Sequence, residues 1–241
     1  MTGCRVQTYT HYRGIISDFK RTGKNMRGDT IIVEEHHRKA AAEIAPVILL
    51  KIETALGKYT ISVAGESGSG KSETATAIAC ALAEKGVKSI IFQQDDYFVY
   101  PPKSNDRTRR EDISWVGPQE VRLNLLDEHL QDFVDGVGKI EKPLVLYEDD
   151  CIVSDALDPD GARVAIAEGT YTTLLDKIDT RIFIDRDYED TLAHRQKRNR
   201  DASELDAFTA DVLKIEHDII SSHKSRADII INQDYTVGLP D

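Results

Sequence analysis

The stretch Gly65-Glu66-Ser67-Gly68-Ser69-Gly70-Lys71-Ser72 stands between an apolar run, YTISVA, and a run, TATAIACALA, that repeats at helical spacing. Glycines at such a junction let the backbone wind tightly enough for successive N–H groups to face one anion. A helix starting at the same point adds its positive end. The segment fills the pattern GxxxxGK[ST] in full. It constrains the chain to a strand, Tyr59 to Ala64, feeding a phosphate-binding loop onto a helix from Lys71 to Lys85 that Gly86 closes. All eight residues are candidate nucleotide contacts. Lys71 would reach the β and γ phosphates, and the Ser72 hydroxyl would ligate Mg²⁺.

The remaining chain is organised around that unit. Strand candidates Ser89–Gln93, 163–169, 180–185 and 227–232 alternate with helices over Pro118–Val134, 187–200 and 204–223. Such alternation gives an α/β fold with a mainly parallel sheet flanked by helices. KPLVLY (142–147) and CIVS (151–154) read as a hairpin or edge strands around the acidic turn Glu148-Asp149-Asp150, and Tyr100 to Gly117 as a loop or lid. Upstream, Ile44, Val47, Ile48, Ile52 and Leu56 mark a helix within 29–56, with a kink or break expected at Pro46. Its apolar surface suits the core or a second subunit. His36 and His37 are adjacent, so a metal pair is not expected of them, and both are read as solvent-exposed. Residues 1–57 are expected to form a partly helical N-terminal extension, and 58–241 the main domain.

Charge and composition narrow the partners. The formal net charge is −11, with 31 basic against 42 acidic residues, which argues against nucleic-acid backbone binding. An anionic small molecule needs only a local basic pocket. The three cysteines, Cys4, Cys80 and Cys151, lack CxxC spacing, so neither a disulfide framework nor a zinc site is expected. The opening MTGCRVQTYTHYRG lacks the apolar core of a signal peptide, and no run approaches a membrane span. A cytoplasmic protein without membrane or nucleic-acid partners is the expectation.

A phosphate loop serves several chemistries, so the other charged residues must discriminate. Asp95 and Asp96 directly follow the second strand, at the end where ligands collect in open α/β sheets. A carboxylate there can accept a hydroxyl proton or help hold a metal. Glu168 ends the strand VAIAE and is placed to hold a metal or its water. Arg195, Arg198 and Arg200, in HRQKRNRD, form a basic element that can close over a transferring phosphoryl group.

The blocks GESGSGKSETATAIA, FQQDDYF, AIAEGTY, HRQKRNRD and ADIII resemble, in order and spacing, the uridine kinase and phosphoribulokinase-like branch of P-loop kinases. The resemblance runs from residue 58 to about 232. It implies a nucleoside-kinase-like P-loop core, a lid around 186–202, and ATP and Mg²⁺ as cofactors for phosphoryl transfer to a small hydroxyl-bearing acceptor. By that match Asp95 falls on the catalytic aspartate, which can also face the metal. Ser72 and Glu168 fall on the metal ligands, and Arg195, Arg198 and Arg200 on the lid arginines. Tyr97, Tyr147 and Asp112 fall at or near positions lining the acceptor pocket. The chain departs from the uridine kinase pattern in two places. EDISWVGPQEV keeps Asp112 and Pro118 but lacks the histidine of the Asp-His-Pro block, and EDDCIVS replaces the base-reading histidine after Tyr147. An acidic lining suggests a polyol, amine-bearing or otherwise different acceptor. A nucleotide-dependent switch and a catalytically silent nucleotide-binding module stay open as alternatives at this point.

Overall fold

In the computed structural model, which describes residues 31–191 and 207–238, the first half comprises α1 (Glu35–Thr54), β1 (Tyr59–Gly65), α2 (Lys71–Ala83), β2 (Ser89–Gln93), α3 (Pro102–Glu111) and α4 (Leu123–Asp135). The second half comprises β3 (Ile140–Leu146), β4 (Cys151–Leu157), β5 (Val164–Glu168), β6 (Thr180–Ile184), α5 (Ala207–Ile220), β7 (Ile229–Ile231) and β8 (Val237–Gly238). The central sheet has the order β2-β5-β1-β6-β7-β8 and is parallel except for β8. The hairpin β3-β4 forms a separate two-stranded sheet.

Alternation across the pleat divides the core. Ile61, Val63, Val164, Ile166, Ile182 and Ile184 face α1 and α2, while Ala64, Ala165, Ala167 and Phe183 face Leu126, Leu130 and Phe133 of α4. Alanines on both facing helices, Ala40, Ala41 and Ala45 with Ala75, Ala77 and Ala79, provide the small surfaces on which α1 lies beside α2. The helix before residue 58 therefore shares the main core.

Four expectations are corrected. The helix does not break at Pro46: α1 is continuous from Glu35 to Thr54. A proline removes one i→i−4 bond at a cost of about 3 kcal/mol, and burial of Ile44, Ile48 and Ile52 on one face offsets it. Within Tyr100–Gly117, residues Pro102–Glu111 are helical rather than loop. Asp150, across the hairpin turn, accepts from the N–H groups of Lys103 (2.7 Å) and Ser104 (3.3 Å) in the first turn of α3. The helix expected over Pro118–Val134 starts later. Pro118–Glu120 is a short 3₁₀ turn, Val121 bridges to Phe98, and α4 begins at Leu123. Likewise His37 is buried, at 1% exposure, instead of facing solvent. The helix expected over 187–200 falls mostly outside the described residues.

The acidic pairs also divide. Asp96 is buried and takes the Lys142 ammonium at 2.8 Å and the Val145 N–H at 3.2 Å, which docks β3 against the turn after β2. Asp96→Ala would strand the Lys142 charge in a site where its side chain is 8% exposed. We expect a loss of about 3–5 kcal/mol, measured as a lower urea midpoint at unchanged m-value. Asp150 serves α3, so neither cluster presents both or all of its acids to a common pocket.

Candidate active site

Strand register brings the functional segments to one edge of the sheet. Glu168 of β5 pairs with Val63 of β1 on one side and Gln93 of β2 on the other, and Gly65 is level with Ile184 of β6. The phosphate loop, the turn carrying Asp95, and Glu168 therefore leave the sheet together, at the carboxyl ends where α/β sheets hold ligands. Gly169 follows Glu168 at φ +158°, and a Cβ there would lie 2.2 Å from Cβ of Gln94. Any side chain at this position would push the two loops apart.

Within the phosphate loop, Lys71 Nζ donates to the Glu66 carbonyl at 2.8 Å. Ser72 Oγ donates to Glu168 Oε1 at 2.9 Å, joining the first turn of α2 to the end of β5. Ser69 Oγ is buried within the loop with no hydrogen-bond partner among the described residues. That unsatisfied hydroxyl suits a phosphate oxygen. The Ser72 and Glu168 oxygens are hard donors of the kind Mg²⁺ takes, one or two from protein with phosphate and water completing the shell. The residues present thus fit both groups. Among the described residues no cluster of three or more histidine, cysteine, aspartate or glutamate side chains forms a dedicated metal cage.

Asp95 lies in the 3₁₀ turn Gln94–Tyr97 and is half-buried. With three residues per turn, successive side chains leave in different directions. Asp96 points to Lys142, and Tyr97 enters the core, 0% exposed, its hydroxyl 2.8 Å from His129 Nδ1. Tyr97 accordingly lies in the core. Tyr147 begins the β3-β4 turn and is exposed, and Asp112 caps a short turn by accepting from Ser114 N–H and Oγ. Arg195, Arg198 and Arg200 lie outside the described residues.

Sequence reading missed a buried polar network that joins α3, the turn at Glu120 and α5. Arg109 of α3 contacts Glu120 Oε2 at 2.6 Å and Glu216 Oε1 of α5 at 3.3 Å, while Asn105 donates to Glu120 at 2.6 Å. Burial pushes the Glu216 carboxyl up, Arg109 opposes that shift, and the charges of Lys71 and Asp95 also act on it. Its signal was present in the sequence: Glu216 sits among Val212, Leu213 and Ile220 on the buried stripe of α5.

The loop's outer side is held by the same helix. His217 Nδ1 is 2.6 Å from Glu66 Oε1, and Thr191 Oγ1 donates to the Ser67 carbonyl at 3.1 Å. The hydrogen bond to Glu66 raises His217 above its ordinary range, and burial raises Glu66. The folded protein thus binds protons more tightly than the unfolded chain at both groups, so stability falls as pH rises. The His217 contribution is complete below its unfolded value of about 6.5 and is lost as pH passes the raised folded value. The melting-temperature advantage of the native chain over His217→Gln should therefore shrink as pH rises above about 6.5, as calorimetric scans of both would show.

A mainly parallel sheet that presents a GxxxxGKS loop, a strand-end carboxylate on its serine and an acid after the next strand has the fold of a P-loop kinase. The chain belongs to the Phosphoribulokinase / Uridine kinase family, whose family profile matches residues 60–239. It is 27% identical over 192 residues, 75% of its length, to the Bifunctional alpha-galactosidase/sucrose kinase AgaSK of Mediterraneibacter gnavus, and spans only 20% of that protein. Against a Uridine kinase of Ureaplasma parvum serovar 3 it is 30% identical over 143 residues, 58% of this chain and 68% of the relative. The solved structure of a possible uridine kinase from Bacillus stearothermophilus superposes with TM-score 0.60 at 16% identity, covering 80% of this chain and 97% of that one, a likeness of fold. Among the described residues no helix is long and apolar enough to cross a membrane.

Proposed function

We propose that the protein transfers the γ-phosphoryl group of ATP, with Mg²⁺, to a hydroxyl of a small polyhydroxylated acceptor. The observation that carries this reading is the convergence of the phosphate loop, the Ser72–Glu168 pair and Asp95 at one sheet edge. Loop N–H groups from Gly65 to Ser72 bind the polyphosphate, and Lys71 leaves the Glu66 carbonyl for the β and γ oxygens. Ser72 and Glu168 would hold Mg²⁺, which when bound neutralises phosphate charge. Asp95 orients the acceptor hydroxyl and takes its proton as that oxygen attacks γ-phosphorus. The bond to the β–γ bridging oxygen breaks, and ADP leaves. The arginines at 195, 198 and 200 are proposed to close over the transferring group.

The acceptor class is read from the departure from the uridine kinase pattern: EDDCIVS stands where the base-reading histidine would follow Tyr147, which favours a polyhydroxylated acceptor over a nucleoside. The likeness to a chain named for sucrose kinase activity supports the same class. A coupled ADP-release assay over sugars, polyols, hydroxy acids and nucleosides tests it. We expect turnover with a sugar or polyol that Asp95→Asn lowers by at least about 10²-fold. Turnover confined to nucleosides would contradict the acceptor assignment, and none with any acceptor would contradict the kinase reading.

A further inference from the structure

The first turn of α1 lies outside the family-matched residues 60–239, yet its His37 packs close to Gly70 of the phosphate loop. Glu34 N–H donates to His37 Nδ1 at 3.1 Å, an N-terminal bond that occupies that lone pair. In the neutral imidazole the ring proton must then reside on Nε2. Nε2 lies 3.4 Å from Tyr235 Oη in a buried contact. Arg186 Nη1, which can only donate, reaches the same oxygen at 2.9 Å. With both lone pairs of Oη engaged, its single proton goes to the Ser69 carbonyl at 3.1 Å.

Each donor in this relay is fixed by the one before it. The consequence falls on the Ser69–Gly70 peptide. In a planar trans peptide C=O and N–H point in opposite directions, so holding the Ser69 carbonyl toward Tyr235 turns the Gly70 N–H away from it, into the loop. The packing leaves no slack. Gly70 has φ +92°, and a Cβ there would lie 2.8 Å from Tyr235 Oη and 2.9 Å from His37 Nε2. His36 packs at a tilt against the group, its ring centroid 4.0 Å from that of His37 and 4.1 Å from that of Tyr235.

We infer that His37, acting through Tyr235, is a positioning residue for the phosphate loop, so that nucleotide affinity depends on a helix outside the family core. This rests on the nucleotide reading above. The two ring nitrogens allow a decisive test. In His37→Asn the side-chain oxygen can still accept from Glu34 N–H but nothing reaches Tyr235. In His37→Gln the amide nitrogen reaches toward Tyr235 but the Nδ1 acceptor is lost. Mg-ATP dissociation constants are measured calorimetrically for the native chain, both variants, Tyr235→Phe and His37→Asn/Tyr235→Phe, with thermal melts for each.

The relay requires His37→Asn and Tyr235→Phe each to weaken Mg-ATP binding by about tenfold, the scale of one net hydrogen bond, with the acceptor KM unmoved. His37→Gln recovers most of that loss, and the double variant binds no worse than Tyr235→Phe alone. A merely structural cap predicts the reverse order of Asn and Gln, with effects on melting instead of affinity. Native affinity in His37→Asn and Tyr235→Phe, or additive losses in the double variant, would overturn the relay alone. Absence of Mg-ATP binding by the native chain would overturn it together with the nucleotide reading.

Discussion

Asp95→Asn is expected to lower kcat by about 10²- to 10⁴-fold, the usual contribution of a positioned general base, while Mg-ATP affinity stays within a few fold. The asymmetry follows from where the residue stands. Asp95 leaves the sheet beside the phosphate loop but belongs to the turn after β2, a separate segment of the chain. Its charge and that of Lys71 act on Glu216 with opposite sign. Asparagine keeps the shape and an acceptor oxygen but cannot take the proton. Single-turnover phosphoryl transfer alongside equilibrium ATP binding separates the two quantities. A parallel loss of both would make Asp95 a nucleotide ligand instead.

Lys71→Ala is the second large effect, and it should damage binding and turnover together. The ammonium reaches across the loop to the Glu66 carbonyl at 2.8 Å, so it stands where β and γ oxygens would replace that carbonyl. Because charge on those oxygens grows toward the transition state, removing the cation is expected to cost about 10²- to 10³-fold in kcat, with a higher KM for ATP in addition. Steady-state kinetics with ATP varied at saturating acceptor measures both. Lys71→Arg restores the charge but not the compact geometry of the ammonium, so it should recover binding more than kcat.

The phosphate loop was legible because its chemistry is local: eight consecutive residues, glycine-rich, between two elements of opposite periodicity. The five parallel strands were legible for a similar reason, as short apolar runs with the expected alternation. The polar helix α3 was not. PKSNDRTRRE carries no apolar stripe, and only Asn105 of α3 is buried. Its order comes from elsewhere in the chain, through Asp150 at its start and the Arg109 contacts near its end, and no local pattern encodes such partners. Asp95 and Asp96 are chemically identical in sequence. Only the 3₁₀ turn and the buried Lys142, an unusual residue for an inward position in IEKPLVL, tell them apart. The resemblance placed Tyr97 near the acceptor by its neighbourhood in the chain, but that same turn carries its side chain into the core. His37 looked like a surface histidine because a pair of adjacent histidines says nothing of what packs on them, and Tyr235 lies 198 residues away.

Isothermal titration of ATP into the native chain, with Mg²⁺ and then with EDTA, tests most directly whether the loop from Gly65 to Ser72 holds a polyphosphate with Ser72 and Glu168 serving its metal. A dissociation constant between about 1 μM and about 1 mM is expected with Mg²⁺, at least tenfold weaker in EDTA, and lost in Lys71→Ala. Well-folded protein that gives no heat under either condition, or equal affinity with and without Mg²⁺, would contradict it.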